Sequence, residues 1–185
     1  MKLNLISLET VKAELGLSVT TNDDAISAMI PKVSADVRRI LNTNYDKEHY
    51  AYFDTETATI SLGNYANNLS TSWPMGQVLE SVNLPDDTYI TGGDVNTGVY
   101  TLSATPTDEG DYVYPTVNIS QWSAISKMIW YRISKLATND INDKAVASES
   151  FGKISKTYSA SEVNKRWNYP QALIDDLGSP FVKVG

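Results

Sequence analysis

Chemistry needs a group that can move a proton, attack a bond or hold a metal, and this sequence is poor in all three. It has one histidine, His49, and no cysteine. Zinc sites take about four N, S or O ligands, drawn mainly from His and Cys, so a standard zinc site is not expected. A Ser-His-Asp arrangement on His49 is formally open. However, His49 lies in the polar stretch YDKEHY with no nucleophile motif beside it, and it reads as a surface histidine. Asp86–Asp87 and Asp175–Asp176 are adjacent carboxylates, but acid–base work requires a shaped, partly dry site. The first pair falls in a turn signal and the second on a helix surface. The stretch DINDKAVASESF, residues 140–151, has the acidic opening of a calcium loop. Ala145 stands where that loop needs glycine and Phe151 where it needs glutamate, so a solvated loop is the better reading. Phosphate-loop, dinucleotide and nucleophile-elbow motifs do not occur. Asn68 and Asn118 head glycosylation sequons, which carry meaning only in a secreted chain. The expectation is therefore no enzyme, no catalytic residue, no metal and no cofactor, and interaction as the functional class.

The charges are unevenly placed. Residues 48–126 hold ten acids and no Lys or Arg, whereas residues 127–185 hold nine bases and six acids, within a net charge of −7. Nucleic-acid readers show a basic patch and a high pI, so specific DNA or RNA binding is not expected. Neither a signal peptide nor a membrane span is expected, because no stretch approaches ~20 apolar residues.

The elements that would position any site follow from periodicity. Ser7 and Gly16 bracket a short helix with Leu8, Val11 and Leu15 on one side. Thr21 or Asn22 starts a second, whose apolar positions Ile26, Met29, Ile30, Val33, Val37, Ile40 and Leu41 recur at helical spacing. Pro31 predicts a kink or a break in it. From Tyr50 the period changes to two. ATISL at 58–62, QVLESV, TYI, GVYTLSA and DYVYPTVNI at 111–119 read as short strands, with NTG at 96–98 turning a hairpin. Pro115 should demote the last strand to an edge or split it. Ser120 then caps a helix with Trp122, Ile125, Met128, Ile129, Ile133 and Leu136 on one broad face. Residues 149–161, ESFGKISKTYSAS, alternate like a strand. Ser161 is placed to cap a turn of helix with Val163 and Trp167, and YPQALIDDLG closes the chain as a last short helix. The expected fold is α+β. It has a helical core of about three main helices, a β-rich insertion and a C-terminal docking arm, all in one domain. The parts are N-terminal helices at 1–47, an insertion at 48–119, a central helix at 120–140, and an arm with a short helix at 141–185.

The order of these parts resembles the head–tail connector proteins of tailed bacteriophages, also called adaptor or head-completion proteins. The parts that carry the resemblance are LISLETVKAELGL, then TNDDAISAMIPKVSADVRRIL, a β-rich insert, ISKMIWYRISKLA, SFGKISKTYS and YPQALIDDLGSPF. Pro31 departs from the family's pattern. The resemblance implies a structural virion protein of the neck, assembled in the bacterial host cytoplasm. Such a protein forms a homo-oligomeric, typically dodecameric ring that binds the portal protein on one side and a stopper or tail-completion protein on the other. Packaged DNA passes through without specific binding, and no membrane is involved. In that setting residues 149–169 are expected to dock on a portal ring or a neighbouring subunit. Phe151, Tyr158 and Trp167 would anchor them, Lys153, Lys156 and Arg166 would supply charge, and Gly152 would permit a close approach. The alternative is a β-rich carbohydrate- or protein-binding module using Trp73, Tyr89, Tyr100, Tyr112 and Tyr114.

Overall fold

The computed structural model describes residues 4–45, 47–62, 73–94, 96–137, 148–151, 154–157, 163–164 and 166–179. The chain forms two compact units, one of Tyr45–Ser120 and one of the described residues of Leu3–Asn44 and Gln121–Gly185.

The first unit is a six-stranded antiparallel sheet of β1 (His49–Asp54), β2 (Thr59–Ser61), β3 (Gln77–Glu80), β4 (Ile90–Asp94), β5 (Val99–Leu102) and β6 (Asp111–Asn118), in the order β3-β6-β1-β2-β5-β4. The two ends of that order nearly meet. Val78 bridges to Tyr89, the Gly76 amide donates to the Ile90 carbonyl (2.8 Å) and the Leu79 amide donates to that of Thr88 (2.8 Å). Period-two alternation in β1, β2 and β5 puts one face of each inside. Ala51, Phe53, Ile60, Leu79, Ile90, Tyr100, Leu102 and Val113 form a core with Trp73 and Leu84. Each large apolar side chain so buried contributes about 1.5–3 kcal/mol.

This overturns the expected α+β arrangement of a helical core of about three main helices with a β-rich insertion and a C-terminal docking arm. The main body is a nearly closed, barrel-like sheet with its own core, accompanied among the described residues by four α-helices, two of them no longer than eight residues. A sheet that curls until its edges meet covers its own inner face and removes its own edges.

Local chemistry shapes the strands. The Asp94 carbonyl accepts from the amides of Thr97 (3.2 Å) and Gly98 (2.9 Å), which closes the β4–β5 hairpin that NTG predicts. Pro115 neither splits β6 nor puts it at an edge. The β1 ladder on β6 ends at the His49–Val113 pair, and the rest of β6 pairs with β3, whose register shifts between Gln77 and Leu79. The missing proline amide therefore leaves no gap in the β1 ladder.

The second unit contains α1 (Leu8–Leu15), α2 (Asp23–Leu41), α3 (Trp122–Ala137) and α4 (Gln171–Asp176). Ser7 caps α1 by accepting from the Thr10 amide (3.1 Å), and Gly16 ends it at φ 65°. All seven apolar positions read from the sequence of α2 are buried. The helix passes through Pro31 without a break. Pro31 and Ser27, whose carbonyl loses its donor, both face solvent, where water can take the freed bond. Ala124, Ile125, Met128, Ile129 and Tyr131 of α3 pack into the same core with Leu173 and Leu177. Two hairpins complete the described residues: β7 (Ser148–Phe151) with β8 (Ile154–Thr157), and β9 (Val163–Asn164) with β10 (Tyr169–Pro170).

An internal charged network ties α2, α3 and the entry to α4. Asp36 Oδ2 accepts from Arg132 Nη2 (2.8 Å) and from the Tyr169 hydroxyl (2.7 Å), while Arg132 Nε donates to the same hydroxyl (3.0 Å). Burial raises the Tyr169 pKa above its ordinary value, and the Asp36 carboxylate adds to that rise. Burial alone would lower the Arg132 pKa, but its bonds to Tyr169 and Asp36 outweigh that and raise it.

Candidate interaction face

The strongest surface feature lies on the outside of β1 and β6. In β1 the alternation HYAYFD sends Ala51 and Phe53 into the core, which obliges Tyr50 and Tyr52 to point out. On β6 the same rule turns Val113 in and Tyr112 out. Tyr50 and Tyr112 are directly opposed in the ladder, with ring centroids 5.5 Å apart at 78°. Tyr50 and Tyr52 meet at 5.3 Å and 87°. These are edge-to-face contacts, each worth about 0.5–1.5 kcal/mol beyond burial, so the rings hold one another in place while remaining 40%, 57% and 49% exposed for Tyr50, Tyr52 and Tyr112. Gly110 sits at φ 61° beneath this patch, and a Cβ there would lie 3.0 Å from the Tyr50 hydroxyl oxygen. Glycine therefore both makes the turn and lets the ring lie down over it.

Carboxylates rim the face. Glu48 accepts from the Tyr114 hydroxyl (3.0 Å), which raises the Tyr114 pKa. Asp111 alternates to the other side of β6 from Tyr112: its Oδ2 accepts from the buried Ser81 Oγ (3.0 Å) and its Oδ1 accepts from the Tyr112 amide. Asp54 takes the Glu56 and Thr57 amides at 2.8 and 3.0 Å, and its pKa is lowered, first by a side-chain bond from Thr57 and then by those amides. Among the described residues no cluster of three or more His, Cys, Asp or Glu is arranged to hold a metal ion. A face of aromatic rings edged with anions suits noncovalent recognition. Tyrosine supplies large contact area at small entropic cost, and its ring attracts cations.

The residues singled out from sequence fall elsewhere. Phe151 ends β7 opposite Ile154, and Lys156 lies in β8 opposite Glu149, so the stretch pairs with itself as a hairpin. Gly152, Lys153 and Tyr158 lie outside the described residues. Arg166 is exposed and stacks on Trp167, with its guanidinium carbon 4.7 Å from the ring centroid. The helical turn expected from Ser161 to Trp167 is replaced at 163–170 by the β9–β10 hairpin. Asn164 Oδ1 accepts from the amides of Arg166 (3.0 Å) and Trp167 (3.2 Å), a local bond that competes with helix. Of the aromatics in the carbohydrate alternative, Trp73 and Tyr100 are core residues at 7% and 3% exposure, while Tyr112 belongs to the exposed face. His49 is half-buried and packs edge-on against Trp73 (5.5 Å); burial and then the Lys47 charge lower its pKa. Tyr50 and Tyr52 were missed. The signal that finds them is the phase of HYAYFD, where a small and a large apolar residue alternate with two tyrosines.

No protein-family model matches this chain, and a search of curated proteins finds no match. No helix among the described residues is long and apolar enough to cross a membrane.

Proposed function

We propose that the chain is a non-enzymatic assembly protein of the tailed-bacteriophage neck, a subunit of a ring adaptor in the virion at the head–tail interface. It binds the portal protein, extends the DNA channel, and meets a stopper or tail-completion protein. The observation that carries the assembly reading is the exposed Tyr50, Tyr52 and Tyr112 face, on a sequence region of ten acids without Lys or Arg. Aromatic clusters of this kind dominate protein–protein contact energies. The order of sequence parts that resembles the connector family supports the specific placement in the neck. An acidic wall also suits a channel that must not retain DNA phosphates.

The test is to purify the chain and mix it with isolated portal rings at rising salt. A net charge of −7 on every copy opposes association at long range, and salt screens that repulsion as well as attraction between opposite charges at a junction, so binding is read at each salt step. Rings in negative-stain images and co-sedimentation with portal are the expected result. A monomer that ignores portal and binds a defined glycan on an array would instead establish the carbohydrate-binding alternative.

A further inference from the structure

We propose that the tyrosine face of the β unit receives the Lys32–Arg39 side of α2 from a second copy of this chain. The proposal rests on the assembly reading for the identity of the partner, and it names the surfaces that meet. The face offers exposed rings with Glu48 and Asp54 beside them, and residues 48–126 contain no Lys or Arg of their own to set against these groups. The complementary chemistry is a guanidinium or ammonium group that lies on a ring and reaches a carboxylate.

The helical unit carries that chemistry. Lys32 and Arg39 are both exposed on α2. They are seven residues apart, two turns of helix, and so lie on one side of it. Arg39 is the looser of two guanidinium groups that share Asp36. Arg132 Nη2 holds Asp36 at 2.8 Å, whereas Arg39 Nη1 stands 3.7 Å away with a side chain 71% exposed. Arg132 and Tyr169 both bond Asp36 Oδ2, and Arg39 makes only a long contact with Oδ1, so its exposed guanidinium can also reach a neighbour's anions and rings. The two patches belong to different surfaces of the chain, so their meeting is heterologous. Each copy offers one of each, and the contact propagates into a ring where the rotation closes.

Sedimentation velocity on the full chain tests this with two variants, Tyr50→Ala/Tyr112→Ala and Arg39→Glu. Each alone should weaken self-association about tenfold or more, with both variants still folded by circular dichroism at the assay temperature. Mixing the two variants should restore a one-to-one dimer and nothing larger, because only one intact junction can form between them. If the double tyrosine variant misfolds, Tyr52→Ala reads the same face from its most exposed ring. Wild-type-like association of the well-folded variants overturns the proposed contact while leaving the adaptor reading in place. A wild type that binds portal yet never self-associates does the same. A wild type that neither binds portal nor self-associates overturns both.

Discussion

Gly93 gives the sharpest test of the β4–β5 ladder. It lies in β4 opposite Tyr100 of β5, with φ 144°. A Cβ built there would lie 2.7 Å from the Tyr100 Cα, 2.7 Å from the Val99 carbonyl oxygen and 2.8 Å from Tyr100 Cδ1. Two of these three atoms are backbone and cannot rotate away, so Gly93→Ala must push β4 off β5 or distort both. The strain of a side chain at this φ is about 1–3 kcal/mol, and forced overpacking adds about 1–3 kcal/mol. The expected loss is about 2–6 kcal/mol, a large part of the roughly 5–15 kcal/mol that holds a typical domain together. Its neighbour is the control. Gly92 has no positive φ, and no atom lies within 4 Å of its built Cβ. Gly92→Ala should therefore stay within about 1 kcal/mol of wild type and lean towards stabilisation, since alanine restricts the unfolded chain. Urea denaturation of both variants, with amide exchange across β4 and β5 as the local readout, separates the two outcomes. If Gly93→Ala matches Gly92→Ala, β4 and β5 do not approach as described, and the register of that ladder is wrong.

Asp36→Ala should cost about 2–3 kcal/mol, because it strips the shared acceptor from Arg132 and Tyr169; the lower part of the range reflects an Arg132 side chain 37% exposed. Tyr169→Phe, which leaves the Asp36–Arg132 pair intact, should cost about 1 kcal/mol. Denaturant titrations showing less than about 0.5 kcal/mol for Asp36→Ala would mean that the network adds nothing to the helical unit. The lowered His49 pKa makes a pH prediction. The unfolded state takes up a proton more readily, so stability is fully present above the ordinary value of 6.5 and is lost as pH falls through the depressed folded value. Melts at stepped pH should show this decline, and His49→Gln should flatten it. At the alkaline end the raised Tyr169 pKa works in the opposite sense. Its contribution is complete below about 10 and fades above it, which Tyr169→Phe should abolish.

Much of the local structure could be read from sequence, because it depends on neighbours close along the chain. Ser7 and Gly16 set the ends of α1, the spacing from Ile26 to Leu41 set the buried side of α2, and NTG set the β4–β5 turn. The outward direction of Tyr50 and Tyr52 was equally available, since alternation with Ala51 and Phe53 allows only one phase once that side is buried. Asn164 was readable only with difficulty: its side chain captures two amides and replaces an expected helical turn with a hairpin. The tertiary structure decided what depends on residues far apart. That β3 and β4 nearly meet, so that six strands need no helical cover, follows from the Val78–Tyr89 bridge, and short strands give no sign of which edges will pair. That Tyr50 lies against Tyr112, sixty-two positions along the chain, and that Asp36, Arg132 and Tyr169 share one set of hydrogen bonds are likewise consequences of packing. Periodicity tells which side of an element faces inward; only the closed sheet and the docked helices determine which residues it meets there.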